Sequence, residues 1–135
     1  MCLVSYTPAE TSNKKITVFK VLLDYGWKLT TPYMHTLIGK DKVLKAKRPF
    51  KTANYHYYMK VVEEEGIHAY SSLKAAIKDW EDFNGIFENT SITPVIYEAV
   101  IPPNTPYWIG VDEDIASIEL LIKEQIQIPL IQLCV

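Results

Sequence analysis

The stretch "SLKAAIKDWEDFN" (residues 72–84) decides the fold class, because it is the clearest helix in a chain of 135 residues. Its apolar side chains recur three and four residues apart and therefore share one helix face. They are Leu73, Ala76, Ile77, Trp80 and Phe83. Ser71 or Ser72 can cap the start by accepting a free backbone N–H, and Asn84-Gly85 is a typical stop. We predict an amphipathic helix over residues 72–84 that packs on a sheet.

Strand patterns lie on both sides of this helix. Residues 16–24, "ITVFKVLLD", are rich in β-branched and apolar side chains, which favours a central strand. Three further strands are predicted at "IHAY" (67–70), "PVIYEAVI" (94–101) and "YWIG" (107–110). The segment "IELLIKEQIQI" (118–128) fits either a helix or a strand, and "DEDIAS" (112–117) is expected to lead into it.

Together these elements predict an α+β fold. We expect a single domain over residues 1–135, with a twisted, mostly antiparallel sheet and the helix over residues 72–84 packed on one face. Residues 123–135 are expected to form an apolar C-terminal extension, which packs on the core or makes a homo-oligomer contact.

Composition and charge restrict the class of function. The chain is 48% hydrophobic and 22% charged, which is typical of a globular protein, and its net charge of −2 argues against a nucleic-acid partner. No apolar run reaches the roughly 18–20 residues that span a bilayer. The N-terminal residues do not resemble a secretory signal, and the two cysteines imply no disulfide framework. We expect a cytoplasmic protein with no membrane association.

One local basic run interrupts the otherwise balanced charge. Its residues are Lys40, Lys42, Lys45, Lys47, Arg48 and Lys51, with Asp41 among them. A run of this kind is usually a solvated loop face, and phosphate binding is the alternative.

The three histidines do not have the spacing of a metal site. His35, His56 and His68 are far apart, without the pair at i and i+4 that a helical zinc site uses. We therefore expect no metal and no cofactor. A separate possibility concerns Cys2: removal of Met1 would let its own α-amino group act as base for the thiol.

His68 precedes the predicted helix and has two interpretations. Free N–H groups at a helix start favour an anion, so Ser71, Ser72 and His68 could bind a phosphate or carboxylate. Alternation also places His68 and Tyr70 on one strand face, where a half-buried histidine needs no ligand. We favour this structural role for the imidazole.

Several motifs resemble a group of small uncharacterised proteins from bacterial and phage genomes. They are "MCLV", "VFKVL", "KLTTPY", "GIHAYSS", "IYEAVIPPNTPYWIG" and "DIASIELLI". That group tends to have Gly-aromatic-His before a helix and Ile-Pro-x-Gly-Thr-x-Tyr later; Ile67 and Asn104 depart from these patterns. The resemblance covers about residues 1–122 and implies a compact α+β domain from a mobile genetic element, without a known activity.

Two functions from different classes remain. The first is a non-enzymatic accessory protein, expected to be of phage type, that binds a host protein such as a defence component. Its expected interface anchors are Tyr55, Tyr57, Tyr58, Tyr107 and Trp108. The second is a small nucleotide- or NAD-handling enzyme similar to ADP-ribosyltransferases, in which His68 and Tyr70 contact the ligand and a glutamate such as Glu98 or Glu119 completes the site. A cleft that brings His68, Tyr70 and a carboxylate together would favour the enzyme.

Overall fold

The computed structural model describes residues 3–5, 10–32, 35–46, 52–55, 59–62, 67–110 and 112–128. Within these ranges the strands are β1 (Leu3–Ser5), β2 (Glu10–Thr11), β3 (Ile16–Asp24), β4 (Leu29–Thr30), β5 (Val43–Lys45), β6 (Thr52–Tyr55), β7 (Met59–Val62), β8 (Ile67–Tyr70), β9 (Thr93–Ile101), β10 (Pro106–Ile109), β11 (Asp114–Ser117) and β12 (Glu119–Ile126). The helix, α1, spans Leu73–Ile86.

The strands form two sheets. The main sheet has the order β2-β10-β11-β8-β3-β9-β12-β5, with β4 paired beside β3, and the smaller one has the order β1-β7-β6. The strand pairs between the described residues are antiparallel. The predicted α+β class, with one helix packed on a mostly antiparallel sheet, is confirmed.

A one-residue connection makes the main sheet curl. Only Ile118 separates β11 from β12, yet β8, β3 and β9 lie between these two strands in the sheet. Four strand spacings in a flat sheet would cover about 19 Å, far more than one residue can span. The sheet therefore bends back on itself, and Leu44 of β5 and Ile115 of β11 join one apolar cluster on the inner face.

The helix packs on the opposite face. Ala76 and Phe83 of α1 are buried against Val21 of β3 and Ile96 of β9. Trp80 lies at the edge of this layer, and its Nε1–H donates to the carbonyl of Pro94 over 2.8 Å. The helix face predicted from the spacing is thus the face that meets the sheet.

The helix boundaries differ slightly from those predicted. Ser72 is the N-cap, and its side chain accepts from the Ala75 N–H. At the other end the helix continues two residues beyond Asn84, to Ile86, and Phe87 caps it. One glycine near a helix end does not break the helix when the following residues still supply N–H donors, as Phe87 does here by donating to Phe83.

The last part of the chain was ambiguous in sequence and is extended in the structure. Glu119–Ile126 forms β12, because β9 and β5 flank it on both sides, and β-branched residues pack well in such a position. Asp114–Ser117 is a buried strand, so the expectation of a lead-in over these residues is wrong. The first four residues of the predicted extension belong to β12; residues 129–135 lie outside the described residues.

Candidate functional site

The start of α1, a predicted anion site, is occupied by the chain's own acidic residue. Glu113 accepts through its carbonyl from the Ser71 N–H over 2.8 Å and from the Ser71 hydroxyl over 3.0 Å. The Ser72 hydroxyl lies 3.3 Å from Glu113 Oε2 and also caps Ala75. Because an internal carboxylate already lies at the positive end of the helix, the arrangement does not favour an external phosphate.

His68 lies on β8 and has an enclosed ring. It pairs with Ala116 of β11, and its Nδ1 and Nε2 atoms are both buried. Alternation along β8 places its side chain on the same face as Tyr70. A ring whose two nitrogens are closed to solvent cannot contact a substrate while the protein keeps this conformation.

A seam opens beside His68, where two central strands separate. The strands β3 and β8 pair only at Phe19 and Tyr70, after which β4 takes the place of β8 next to β3. Lys20, which is 7% exposed, donates from Nζ to the His68 carbonyl in this seam. The lysine ammonium therefore satisfies a backbone carbonyl that a continuous ladder would have paired.

The seam contains ionisable groups in an apolar setting. Burial lowers the pKa of Lys20 to about 8, and the nearby Asp79 carboxylate only partly opposes this effect. Burial likewise raises the pKa of Asp79, against the opposing influence of a hydrogen bond from Tyr70 and the charge of Lys20. The helix thus places one carboxylate close to the seam.

The residues of the enzyme hypothesis are only partly brought together. Tyr70 contacts Asp79 and pairs across strands with Asp114, a buried residue whose pKa is raised by burial. The predicted carboxylate, Glu98, pairs with Phe19, and Phe19 in turn pairs with Tyr70. Glu98 is therefore two strands away from Tyr70, with a phenylalanine between them.

Two of the predicted aromatic anchors, Tyr107 and Trp108, have described side chains, and neither is fully exposed. Trp108 is 5% exposed, so the expectation that it is a surface anchor is wrong: it lies on β10, and its partner on β11 is the small Ala116, which leaves room for the indole. Tyr107 is half-buried. The Tyr55 side chain and residues 57–58 lie outside the described residues, as does Cys2.

Among the side chains that the structure describes, the exposed aromatic one is on a hairpin instead. Trp27 follows Gly26 in the four-residue loop (25–28) between β3 and β4, and it is 80% exposed. Gly26 has φ +91°, a conformation that glycine adopts without strain, and its N–H donates to Asp24 Oδ1 over 2.8 Å. Lys28 Nζ lies 4.6 Å from the ring centres of both Tyr25 and Trp27. These contacts hold the hairpin tip in a defined shape.

A shallow open cleft of about 350 Å³ lies beside this hairpin. We call it the Trp27 cleft; its side chains include Asp24, Trp27, Lys28, Ile38, Lys42 and Tyr97. Burial raises the pKa of the Tyr97 hydroxyl, and the charge of Asp24 acts in the same direction. Leu37, which is 60% exposed, follows in the chain segment that runs beside β4. The cleft combines aromatic walls with two lysines.

Other types of site have less support in the structure. Among the residues that the structure describes, no three His, Cys, Asp or Glu side chains are grouped closely enough to hold a metal ion. His35 is exposed, and His56 lies outside the described residues. Within the same ranges, no helix has the length and apolar character needed to cross a membrane.

Apart from Lys42, which belongs to the basic run, the residues of the Trp27 cleft were not among the predicted sites. One local signal points to them: "YGWK" (25–28) directly follows a strand, so its glycine makes a turn and the adjacent tryptophan lies at the tip. The contribution of Tyr97 and Lys42 has no comparable signal, because they reach the cleft from distant segments. Comparison of the chain with protein-family models, curated proteins and solved structures finds no significant match.

Proposed function

We propose that this protein is a non-enzymatic accessory factor that binds another protein through the Trp27 cleft. The observation that carries the proposal is the 80% exposure of Trp27 at a hairpin tip beside a cleft. Tryptophan is the residue type most enriched among the side chains that dominate protein interfaces. The anchor is also pre-arranged, because Lys28 lies against two aromatic rings of the same hairpin.

The energy available at this residue is large enough to matter for binding. Covering most of an exposed indole removes about 200 Å² of surface from water, which corresponds to about 5 kcal/mol at roughly 25 cal/mol per Å² before the cost of association is subtracted. Leu37, which is 60% exposed and bridges to Thr30 of β4, is a further exposed apolar side chain. An open cleft of about 350 Å³ encloses a small molecule poorly but accepts side chains of a macromolecule well.

The kind of partner follows from the resemblance to small bacterial and phage proteins. A phage-encoded factor of this size acts in the cytoplasm, and a host protein, such as a defence component, is its target. Self-association through the C-terminal tail is a separate proposal, and residues 129–135 lie outside the described residues.

Site-specific photo-crosslinking tests the proposal. A photoreactive phenylalanine derivative replaces Trp27 in one variant and Ile86, which is 68% exposed at the end of α1, in the control. We expect a discrete crosslinked protein with the Trp27 variant alone, and reduced affinity of the purified partner for Trp27→Ala. Equal crosslinking at both positions, or none at Trp27, would contradict the proposal.

A second candidate is the NAD-handling enzyme. Its support is the Tyr70–Asp79 hydrogen bond on the strand face that also carries His68. The buried ring nitrogens of His68 argue against it. Incubation with labelled NAD and a bacterial extract distinguishes the two: label transfer that is lost in His68→Ala but kept in His35→Ala would favour the enzyme over the binding protein.

A further inference from the structure

The two lysines of the Trp27 cleft come from separate parts of the chain. Lys28 lies in the hairpin loop, and Lys42 lies in the turn that precedes β5, where the Lys42 N–H donates to the Gly39 carbonyl over 3.1 Å. Lys42 has φ +57°, which is uncommon for a residue with a side chain. Both lysines therefore line the same concave surface.

The carboxylates nearby are already engaged with backbone donors. Asp24 Oδ1 accepts from the Gly26 N–H over 2.8 Å, and Asp41 Oδ1 accepts from the Val43 N–H over 3.2 Å. In the part of the chain that the structure describes, neither Lys28 nor Lys42 forms an ion pair, whereas Lys45 pairs with Glu119. These hydrogen bonds leave the carboxylate charges in place, so the lining of the cleft carries two lysines and one aspartate, Asp24, and is positive by one charge.

The walls between these charges are apolar and aromatic. Trp27 and Tyr97 provide ring surfaces, and Ile38 provides an aliphatic one. A ligand that fits must combine an apolar group for the walls with negative charges for the two lysines. An extended peptide with one bulky apolar residue flanked by carboxylates has this combination.

We infer that the Trp27 cleft binds an acidic, extended segment of the partner protein, with an apolar side chain against Trp27 and carboxylates at Lys28 and Lys42. The inference rests on the proposed function and specifies the chemistry of the partner. It also predicts a salt dependence, since exposed charge pairs are screened at physiological ionic strength. The chain's own net charge of −2 is no obstacle, because the local surface decides recognition.

Short dye-labelled peptides test the inference by fluorescence anisotropy. Each has one central Phe flanked by Glu, by Gln or by Lys. We expect the Glu peptide to bind at low salt and to weaken as salt is added, and the Gln and Lys peptides to bind at least about tenfold more weakly. A preference for the Gln or Lys peptide would overturn the inference, as would binding of a short single-stranded oligonucleotide in preference to the Glu peptide.

A charge-reversal variant locates the binding. Lys28→Glu with Lys42→Glu should abolish binding of the Glu peptide and allow binding of the Lys peptide. The matched control is Lys74→Glu with Lys78→Glu, which changes the net charge equally on the exposed side of α1 and should leave binding unchanged. Equal loss in both variants would show that only net charge matters, and the inference would fail.

The two proposals fail separately. If Trp27 crosslinks a protein but the Glu peptide does not bind, the acidic-segment inference is wrong and the binding function stands. If neither occurs, both are wrong.

Discussion

The helix side of the sheet and the Trp27 hairpin each carry a tryptophan, and the two indoles have opposite surroundings. Trp80 packs beside the helix core and donates to the Pro94 carbonyl, so its polar atom is satisfied within the fold. Trp27 is 80% exposed and contacts the ammonium of its neighbour Lys28. A tryptophan side chain therefore stabilises the fold at position 80 and remains available to a partner at position 27.

The truncation of Trp80 is expected to change stability the most. Trp80→Ala removes a large, half-buried side chain and should lower the free energy of unfolding by about 3 kcal/mol, near the lower end for such changes because one edge is already solvated. Urea denaturation measures it. Trp80→Phe keeps the ring packing and loses the bond to Pro94, so it should cost less. An unchanged urea midpoint in Trp80→Ala would show that the indole does not support the helix.

The buried Lys20 should make the stability of the protein depend on pH. Its pKa is about 8 in the folded protein and 10.5 in the unfolded chain, so between these pH values the unfolded state binds more protons. Stability should therefore rise with pH from about 8 to 10.5, by at most on the order of 3 kcal/mol, and this group adds no slope below pH 8.

Thermal melts across this pH range, with Lys20→Met as control, isolate the contribution. Methionine has a similar length and no charge, so the rise should disappear in the variant while other groups titrate as before. The same slope in both proteins would mean that Lys20 is hydrated in solution.

The helix cap gives a smaller effect. Ser72→Ala removes the acceptor for the Ala75 N–H and should lower the free energy of unfolding by about 1 kcal/mol. Ser71→Ala, which leaves that cap intact, should cost less in the same denaturation assay. A larger loss of stability in Ser71→Ala than in Ser72→Ala would show that Ser72 is not the residue that caps the helix.

Trp27→Ala should have the smallest effect on stability, within about 0.5 kcal/mol, because the side chain is mostly solvated in the folded protein. The same variant should lose most of the tryptophan fluorescence that acrylamide quenches readily, because Trp108 is buried and Trp80 is partly so. A large fall in stability would show that the indole packs on the protein, and the contrast with Trp80 would then disappear.

Local patterns in the sequence predicted the elements that depend on neighbouring residues. The helix face from Leu73 to Phe83 follows from spacing alone, and the strand Ile16–Asp24 matches its predicted bounds. The segment Glu119–Ile126 could not be assigned, since its residues suit both states and only pairing with β9 and β5 makes it a strand.

The residues of the candidate site were harder to predict from local sequence patterns. Trp108 and Trp27 have the same side chain, so residue type does not distinguish them. Trp108 is buried and pairs with Ala116 in the sheet, whereas Trp27 lies on the four-residue loop 25–28. Lys42 and Tyr97 are 55 positions apart in the numbering (97 − 42 = 55), and only the fold brings both to the Trp27 cleft.

The sequence by itself determined the amphipathic helix, its serine cap and the central strand, because each depends on side-chain periodicity or on one local hydrogen bond. The tertiary structure decided the curl around the one-residue link at Ile118, the insertion of Lys20 into the seam and the exposure of Trp27. These features arise from contacts between distant segments, and burial is a property of the assembled fold that no short window of sequence contains.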